Sequence, residues 1–366
     1  MGKAISIVIP TYNERDNIVP LVKRIDQVLS SYDYEVVFID DNSGDGTADL
    51  VRALSSEYPV EVIVRRDKRG LASAVVDGIS YVTGEIIGVM DADLQHPPEV
   101  IPNLLQALKD GKDIAIASRY VKGGGCQGWG LSRRIISRGA AVLAHLLLPR
   151  TRRFKDPLAG FFMFNKRVVT HAKLQPTGYK ILLEILIEGE FQNVAEVPYT
   201  FRARSSGESK LNARQQMDYL KHIYSLMKRE GELRRFLTFC LVGLSGVLVN
   251  MGLLWSLTEL VGFPYLVSAA FSIESSIISN FVLNDRFTFR DRRLPTTKSF
   301  LTRLGKFNLV SLAGLSLNMA VLWLLTEVFG LYYLLSNLCG IAVAVLWNYL
   351  VNSLWTWKYR DSYCAD

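Results

Sequence analysis

Two aspartates and a glutamine, spaced two residues apart, are residue types that could bind a metal ion. Asp91, Asp93 and Gln95 directly follow an apolar run at residues 85–90. Two carboxylates and an amide oxygen this close together are hard ligands that suit Mg²⁺ or Mn²⁺ held with substrate phosphates. The alternative is a strand-end turn whose carboxylates only cap the next helix, because an Asp-x-Asp triplet is common by chance. The surrounding sequence favours the metal site.

The elements that position this triplet are short apolar runs alternating with helical patterns. Strands are predicted at residues 4–9, 34–39, 60–65 and 85–90, with helices at 17–29 and 70–82. This alternation predicts βαβ units and a doubly wound, mostly parallel sheet, in which ligands bind beyond the carboxyl ends of the strands. Glu14 and Asp41 also follow strands, so carboxylates recur at one edge and indicate a nucleotide site. Because the chain has neither a Walker A sequence nor GxGxxG, no P-loop or dinucleotide fold is indicated.

Composition separates the chain into a charged part and an apolar part. Of the 366 residues 49% are hydrophobic, and the apolar excess lies in the last third. The net charge is +7, and the basic residues cluster near the apolar segments. This pattern favours anionic lipid surfaces and anionic substrates over nucleic acid, so no nucleic-acid partner is expected. The four scattered cysteines predict neither a disulfide framework nor a zinc site.

The last third contains apolar runs long enough to cross a ~30 Å hydrocarbon core. Transmembrane helices are predicted at about 236–258, 262–284, 307–326 and 332–357. The runs form two copies offset by 68 residues, so that Asn250-Met251 recurs as Asn318-Met319 and Asn280 recurs as Asn348. We therefore expect an all-α domain of two repeated helical hairpins. Glu274, Asn280 and Asn348 are either functional groups or helix-pair or dimer contacts.

Charge around these runs predicts the orientation. The hairpin turns near Glu259 and Glu327 contain no Lys or Arg, whereas the other connections are rich in them. By the positive-inside rule, the protein is predicted to be a multi-pass protein of the cell membrane with its catalytic domain in the cytoplasm.

Two further segments have interfacial character. Residues 139–148 are too short to span a bilayer and are flanked by arginines, which favours an interfacial helix over a surface helix with solvated charges. Residues 212–235 predict an amphipathic interfacial helix or linker. The predicted domains are therefore 1–211, 212–235 and 236–366.

The motifs at the strand ends carry a family resemblance. Residues 10–14 (PTYNE), 40–43 (DDNS) and 91–98 (DADLQHPP) resemble the α/β GT-A fold of family 2 glycosyltransferases, and more narrowly the dolichol-phosphate mannose synthases. Residues 118–120, 156–162 and 207–211 continue the motifs in the family's order. The chain lacks the Gln-x-x-Arg-Trp motif of processive synthases, which argues for a single sugar transfer. The C-terminal repeat resembles the GtrA-type domain attached to some polyprenyl-phosphate glycosyltransferases.

The resemblance implies roles for particular residues. A nucleotide-sugar site would comprise Pro10, Tyr12, Glu14, Ile39, Asp41, Asp91, Ala92, Asp93, Arg204 and Lys210. The implied metal ligands are Asp91, Asp93 and Gln95, and the implied catalytic residues are Asp91, Asp93 and Arg119. The lipid phosphate would be held by Arg119, Arg133 and Ser137. Arg133 and Ser137 are four residues apart and would share a helix face.

The reaction implied by the resemblance is inverting, metal-dependent transfer of mannose from GDP-mannose to dolichyl or another polyprenyl phosphate at the lipid bilayer. A phosphate monoester has a second pKa near ~6, so this acceptor needs no general base. One alternative is a UDP-glucose:polyprenyl-phosphate glucosyltransferase, and another is a translocase of lipid-linked sugars. The oligomeric state stays open.

Overall fold

The computed structural model describes residues 3–67, 70–175, 178–202, 213–293 and 296–359. The chain divides into two compact units, Met1–Met227 and Lys228–Asp366, and each is described by itself. The first unit is built around a seven-stranded sheet, and the second is helical.

The sheet of the first unit has the spatial order β3-β2-β1-β4-β7-β5-β8. Its strands are β1 (Ile5–Thr11), β2 (Tyr34–Asp40), β3 (Val60–Val64), β4 (Ile86–Val89), β5 (Ile114–Ser118), β7 (Phe162–Asn165) and β8 (Val194–Pro198), while β6 (Gly125–Cys126) and β9 (Thr200–Phe201) form a separate ribbon. All neighbours in the sheet pair in parallel except β7, which is antiparallel to both β4 and β5. The mostly parallel sheet predicted from the sequence is therefore confirmed.

Helices cover both faces of this sheet. They are α1 (Arg15–Leu29), α2 (Thr47–Leu54), α3 (Leu71–Tyr81), α4 (Ile101–Lys109), α5 (Leu131–Leu147), α6 (Ile181–Glu188) and α7 (Ala213–Arg229). Successive side chains of a strand point to opposite faces, so Ile7 of β1 joins a hydrophobic cluster with α1 and α4, whereas Val8 joins a second cluster with α3 and α6. Burial on both faces explains why the strands are nearly continuous apolar runs.

Helix α7 belongs to the first unit, beyond the predicted domain end at residue 211. Its Tyr219, Ile223 and Leu226 are buried in a cluster with residues of α5 and α6. The predicted continuous segment 212–235 is interrupted after α7, because Gly231 adopts a left-handed conformation with φ 74°. Some apolar residues of this segment thus pack within the unit, and others form an exposed face.

The described residues of the second unit form four long helices: α8 (Glu232–Trp255), α9 (Tyr265–Leu283), α10 (Thr297–Trp323) and α11 (Tyr333–Val351). Each continues into one π-helical turn, at Ser256–Leu260, Asn284–Thr288, Leu324–Val328 and Asn352–Thr356. In length and hydropathy all four are able to cross a membrane. Helix α10 starts before residue 307, since the helix continues through the polar stretch that precedes its charge-free run.

The π-helical turns repeat with the 68-residue offset of the sequence. The Thr288 hydroxyl donates to Asn284 Oδ1 at 2.7 Å, and the Thr356 hydroxyl donates to Asn352 Oδ1 at the same distance. The two hairpins are therefore copies in structure as well as in sequence.

The repeated intramembrane asparagines are helix-pair contacts. Asn280 of α9 lies against Gly246 of α8, where an added Cβ would overlap the asparagine amide. Asn348 of α11 lies against Gly314 of α10, where an added Cβ would come within 2.8 Å of the amide. Small residues at such positions let helix backbones approach closely. This packing places both asparagines at contacts between paired helices, and their Oδ1 atoms are buried with no hydrogen-bond partner in the described part of the chain.

Candidate active site

A cavity of about 820 Å³ opens at the carboxyl ends of β1, β2 and β4. The predicted residues that line it are Pro10, Tyr12, Glu14, Asp41, Asp91, Ala92, Asp93, Gln95, Arg119, Arg133 and Ser137. Ile39 does not, because its fully buried side chain lies in the hydrophobic cluster against α3. Arg204 and Lys210 lie outside the described residues. The structure thus gathers the donor-end and acceptor-end predictions into one space.

Asp41 stands at one end of the cavity and is held rigidly. It accepts hydrogen bonds from Arg65 Nε at 2.8 Å, from Arg65 Nη2, and from the backbone N–H of Gly70 at 2.7 Å. Arg65 also contacts Asp77 at 3.0 Å. This bidentate pairing fixes the Asp41 carboxylate at the rim, where Tyr12 is 40% exposed.

The loops after β1 and β2 are tied together beside Asp41. The Asn13 backbone N–H donates to Ser43 Oγ at 2.8 Å, and the Gly44 backbone N–H donates to Asn13 Oδ1 at 3.1 Å. Asn13 and Asn42 have φ of 55° and 58°, a left-handed conformation that asparagine tolerates. The asparagines of both sequence motifs therefore shape the rim of the cavity.

The Asp-x-Asp loop is held by Gln95. Leu94 has φ 61°, which costs a leucine roughly 1–2 kcal/mol. The turn is fixed because the Gln95 backbone N–H donates to Asp93 Oδ1 at 3.1 Å and its Nε2 donates to the Arg202 carbonyl at 3.0 Å. With its amide nitrogen engaged, Gln95 keeps its side-chain oxygen as an acceptor.

His96 supports Asp91 through a hydrogen bond to its backbone. The Asp91 backbone N–H donates to His96 Nδ1 at 3.0 Å, and the buried ring packs on Phe161 with centroids 5.5 Å apart. Desolvation by burial lowers the pKa of His96 to about 4, so the imidazole is neutral and its Nδ1 accepts. His96 thus orients the backbone that carries Asp91.

The donor set on this wall fits a hard divalent cation. Among the described residues no three His, Cys, Asp or Glu side chains form a metal cage. Asp91, Asp93 and Gln95 supply two carboxylates and an amide oxygen. Mg²⁺ is commonly bound by one or two carboxylates together with substrate phosphates, so this set suits an ion that a diphosphate helps to hold.

Arg119 anchors the other end of the cavity. Its Nε and Nη2 donate to the two Asp156 oxygens at 2.8 and 2.7 Å, and its backbone N–H donates to the same carboxylate at 3.0 Å. Desolvation opposes the charge of Arg119, but the hydrogen bonds to Asp156 outweigh it and hold the guanidinium pKa above its usual value. Arg119 is therefore a fixed cation whose charge is balanced by one buried carboxylate.

Helix α5 presents one face to the cavity. Arg133, Ile136, Ser137 and Ala140 line it at helical spacing, with polar and apolar residues alternating along the face. The Ser137 hydroxyl lies 2.8 Å from the Tyr120 hydroxyl. Arg133 and Ser137 therefore share a face, as their spacing predicts, and the same face adds an apolar surface beside them.

Comparison with known proteins identifies the two units. Residues 6–173 match glycosyl transferase family 2, and residues 238–357 match the GtrA/DPMS transmembrane domain. The dolichol-phosphate mannosyltransferase of Pyrococcus furiosus is 48% identical over 353 residues, covering 96% of this chain and 99% of that protein. The chain belongs to the dolichol-phosphate mannosyltransferase family. It is a membrane glycosyltransferase with a multi-pass helical domain.

Other members of the mannosyltransferase family match a shorter part of the chain. The Mycosarcoma maydis enzyme is 39% identical over 61% of this chain and 79% of its own length. The Saccharomyces cerevisiae enzyme is 36% identical over 64% of this chain and 92% of its own length. Mannosyl-3-phosphoglycerate synthase from Rubrobacter xylanophilus shares the fold. It is 20% identical, with a TM-score of 0.50, and the match covers 63% of this chain and 75% of its own length.

Trp129 and Lys180 are residues of this mannosyltransferase site that were not predicted from the sequence. Trp129 lies between the arginines, with its ring 5.5 Å from the Arg119 guanidinium and 4.4 Å from that of Arg133. Lys180 lines the cavity just before α6. A usable signal was present for Lys180, which is the cation directly before residues 181–187, a segment that is apolar except for Glu184. Trp129 stands in a glycine-rich stretch and carried no comparable signal.

Proposed function

We propose that this protein transfers mannose from GDP-mannose to dolichyl or another polyprenyl phosphate, with inversion, at the cytoplasmic face of the cell membrane. One observation carries the proposal. A single cavity joins the carboxylates of the strand-end loops to the Arg133–Ser137 face of α5. The names of the relatives support mannose and dolichol phosphate as the sugar and the acceptor.

At the donor end, Pro10, Tyr12, Glu14 and Asp41 would hold the base and ribose, with Ala92 beside the sugar nucleotide. Asp91, Asp93 and Gln95 would hold Mg²⁺ or Mn²⁺, which when bound offsets negative charge on the diphosphate as it leaves. Arg204 and Lys210 would add cations over the same diphosphate. The hydrogen bonds between Arg65 and Asp41, and between the Asp91 backbone N–H and His96, support preorganisation of these ligands.

At the acceptor end, Arg119, Arg133 and Ser137 would hold the lipid phosphate. Its oxygen attacks the anomeric carbon from the face opposite the leaving diphosphate. The phosphate is largely dianionic at neutral pH, so no residue has to remove a proton. Catalysis then rests on positioning and electrostatic stabilisation, which agrees with the absence of a titratable base from the described α5 face.

The exposed apolar residues of the first unit support binding to a membrane surface. On α5 these are Leu131, Ile135, Ile136 and Val142, and on α7 they are Met217, Leu220 and Tyr224. Amphipathic helices of this kind lie in the bilayer interface. The isoprenoid chain would leave the cavity along Ile136 and Ala140.

Donor choice is the direct test of this proposal. Purified protein in detergent, with Mn²⁺ and polyprenyl phosphate, would be given radiolabelled GDP-mannose or UDP-glucose, and label in organic-extractable lipid would be counted. Label from GDP-mannose that disappears with chelator is the expected result. Glucolipid alone would replace the proposed donor by UDP-glucose. No lipid product from either donor, in protein that still binds lipid-linked sugar, would favour a translocase.

A further inference from the structure

Lys180 is a partly buried cation without an ion-pair partner in the described part of the chain. Its ammonium donates to the Leu158 carbonyl at 3.0 Å and lies 4.8 Å from the Tyr179 ring centroid. An ammonium has three donors, so this arrangement leaves donors for a ligand. A desolvated charge is costly unless an anion or hydrogen-bond acceptor compensates it. Lys180 lines the cavity, so a bound ligand can supply that compensation.

The surroundings of Lys180 place it between the two ends of the cavity. The charged groups that influence it are Arg119 and Asp156, followed by Asp91 and Arg133. Leu158, its hydrogen-bond partner, and Gly160 are in the loop that brings the backbone close to Asp91. Lys180 therefore stands near the acceptor arginines and within electrostatic reach of the sugar-nucleotide loop.

The charges at the acceptor end suggest which ligand Lys180 binds. The three cationic side chains lining the described cavity are Arg119, Arg133 and Lys180. Arg119 is already balanced by Asp156, with bidentate hydrogen bonds and a buried carboxylate. A phosphate dianion needs more positive charge than Arg133 alone supplies. Lys180 is the remaining cation on this wall.

We infer that Lys180 is a direct ligand of the acceptor phosphate and, with Arg133, supplies the positive charge that the Arg119–Asp156 pair does not. The inference rests on the proposed function, because it takes a polyprenyl phosphate as the acceptor. Lys180 then holds the attacking phosphate beside the Asp-x-Asp loop. Desolvation lowers the pKa of its ammonium to about 8, which leaves the residue mostly cationic at neutral pH.

The test measures acceptor binding separately from turnover. Full-length protein in detergent is titrated with citronellyl phosphate, a short isoprenyl monophosphate, and separately with GDP in the presence of Mn²⁺. The variants are Lys180→Met, Lys180→Arg and Lys166→Met. Lys166 is the matched control, because its ammonium also donates to a backbone carbonyl, that of Val82 at 2.8 Å, but it does not line the cavity.

We expect Lys180→Met to raise the Kd for citronellyl phosphate about tenfold or more while the Kd for GDP changes by less than about twofold. Lys180→Arg should restore most of the acceptor affinity, and Lys166→Met should change neither Kd. Retained GDP binding shows that the variants are folded. Wild-type affinity for citronellyl phosphate in Lys180→Met would overturn the inference.

Two other outcomes separate the inference from the proposed function. If Lys180→Met weakens binding of GDP but not of citronellyl phosphate, Lys180 contacts the donor nucleotide and the inference is wrong, while the proposed function stands. If wild-type protein binds GDP but no isoprenyl phosphate, both the proposed acceptor and the inference about Lys180 are wrong.

Discussion

At the residue scale, the site is built from paired charges rather than from lone ionisable groups. Arg65 balances Asp41 at the donor end, and Asp156 balances Arg119 at the acceptor end. Such buried pairs add little to the free energy of folding, because desolvation offsets much of their attraction. Their main contribution is to fix the geometry of the site. The groups without such a balance, above all Lys180, are the ones left to respond to a substrate charge.

The pH dependence of acceptor binding follows from two ionisations. The phosphate becomes dianionic above its second pKa near ~6, and Lys180 loses its charge as pH rises through a pKa of about 8. Acceptor affinity should therefore be greatest between these values and fall on both sides. In Lys180→Arg the alkaline fall should disappear, since arginine stays protonated. Isothermal titration calorimetry from pH 5.5 to 9.5 (roughly the range these two groups span) measures the acceptor affinity. If the affinity of Lys180→Arg still fell at alkaline pH as in wild type, the prediction would be contradicted.

At the scale of secondary structure, strand ends position the residues proposed to bind the donor, and one helix face positions residues proposed to bind the acceptor. The loops after β1, β2 and β4 were predicted from their motifs, because apolar runs ending in carboxylates mark strand ends in a sequence. Strands β5, β7 and β8 were not predicted. β7 is four residues long and pairs antiparallel between two other strands, and this placement depends on tertiary contacts that no local pattern carries.

Local sequence patterns also predict only some of the side chains in the site. The donor carboxylates could be predicted, since each lies within a recognisable motif. Trp129 and Lys180 come from distant segments that meet only when the sheet and α5 are assembled. Ile39 shows the opposite case: it adjoins a motif, yet the strand's alternation turns its side chain into the core.

Helix packing in the membrane unit gives a prediction with an internal control. Gly246→Ala would place a methyl group into the Asn280 amide, whereas Gly243 on the same helix has nothing within 4 Å of an added Cβ. Overpacking of this kind costs about 1–3 kcal/mol, while Gly243→Ala should be neutral or slightly stabilising. Unfolding in detergent with increasing SDS compares the two free energies. Equal stability of both variants would argue against this contact.

At the scale of the whole molecule, the charge distribution predicts which side of the membrane each connection occupies. Each variant would carry one cysteine at Glu259, Glu327 or Arg290 in a background where Cys126, Cys240, Cys339 and Cys364 are serine. These three positions are exposed. In intact cells, a membrane-impermeant maleimide should label Glu259→Cys and Glu327→Cys, and should label Arg290→Cys only after permeabilisation. The reverse pattern would place the catalytic unit outside.

The proposed reaction is the direct transfer of mannose from GDP-mannose to a lipid phosphate in one cavity, with the help of the Asp-x-Asp loop. Its most direct test is single-turnover formation of mannolipid by wild type, by Asp93→Asn, and by Asp49→Asn as a control in an exposed pair with Arg52. We predict that Asp93→Asn slows transfer by about a hundredfold or more, since ligands that offset developing charge contribute this much, and that Asp49→Asn is unaffected. Mannolipid formed by Asp93→Asn at the wild-type rate would contradict the account.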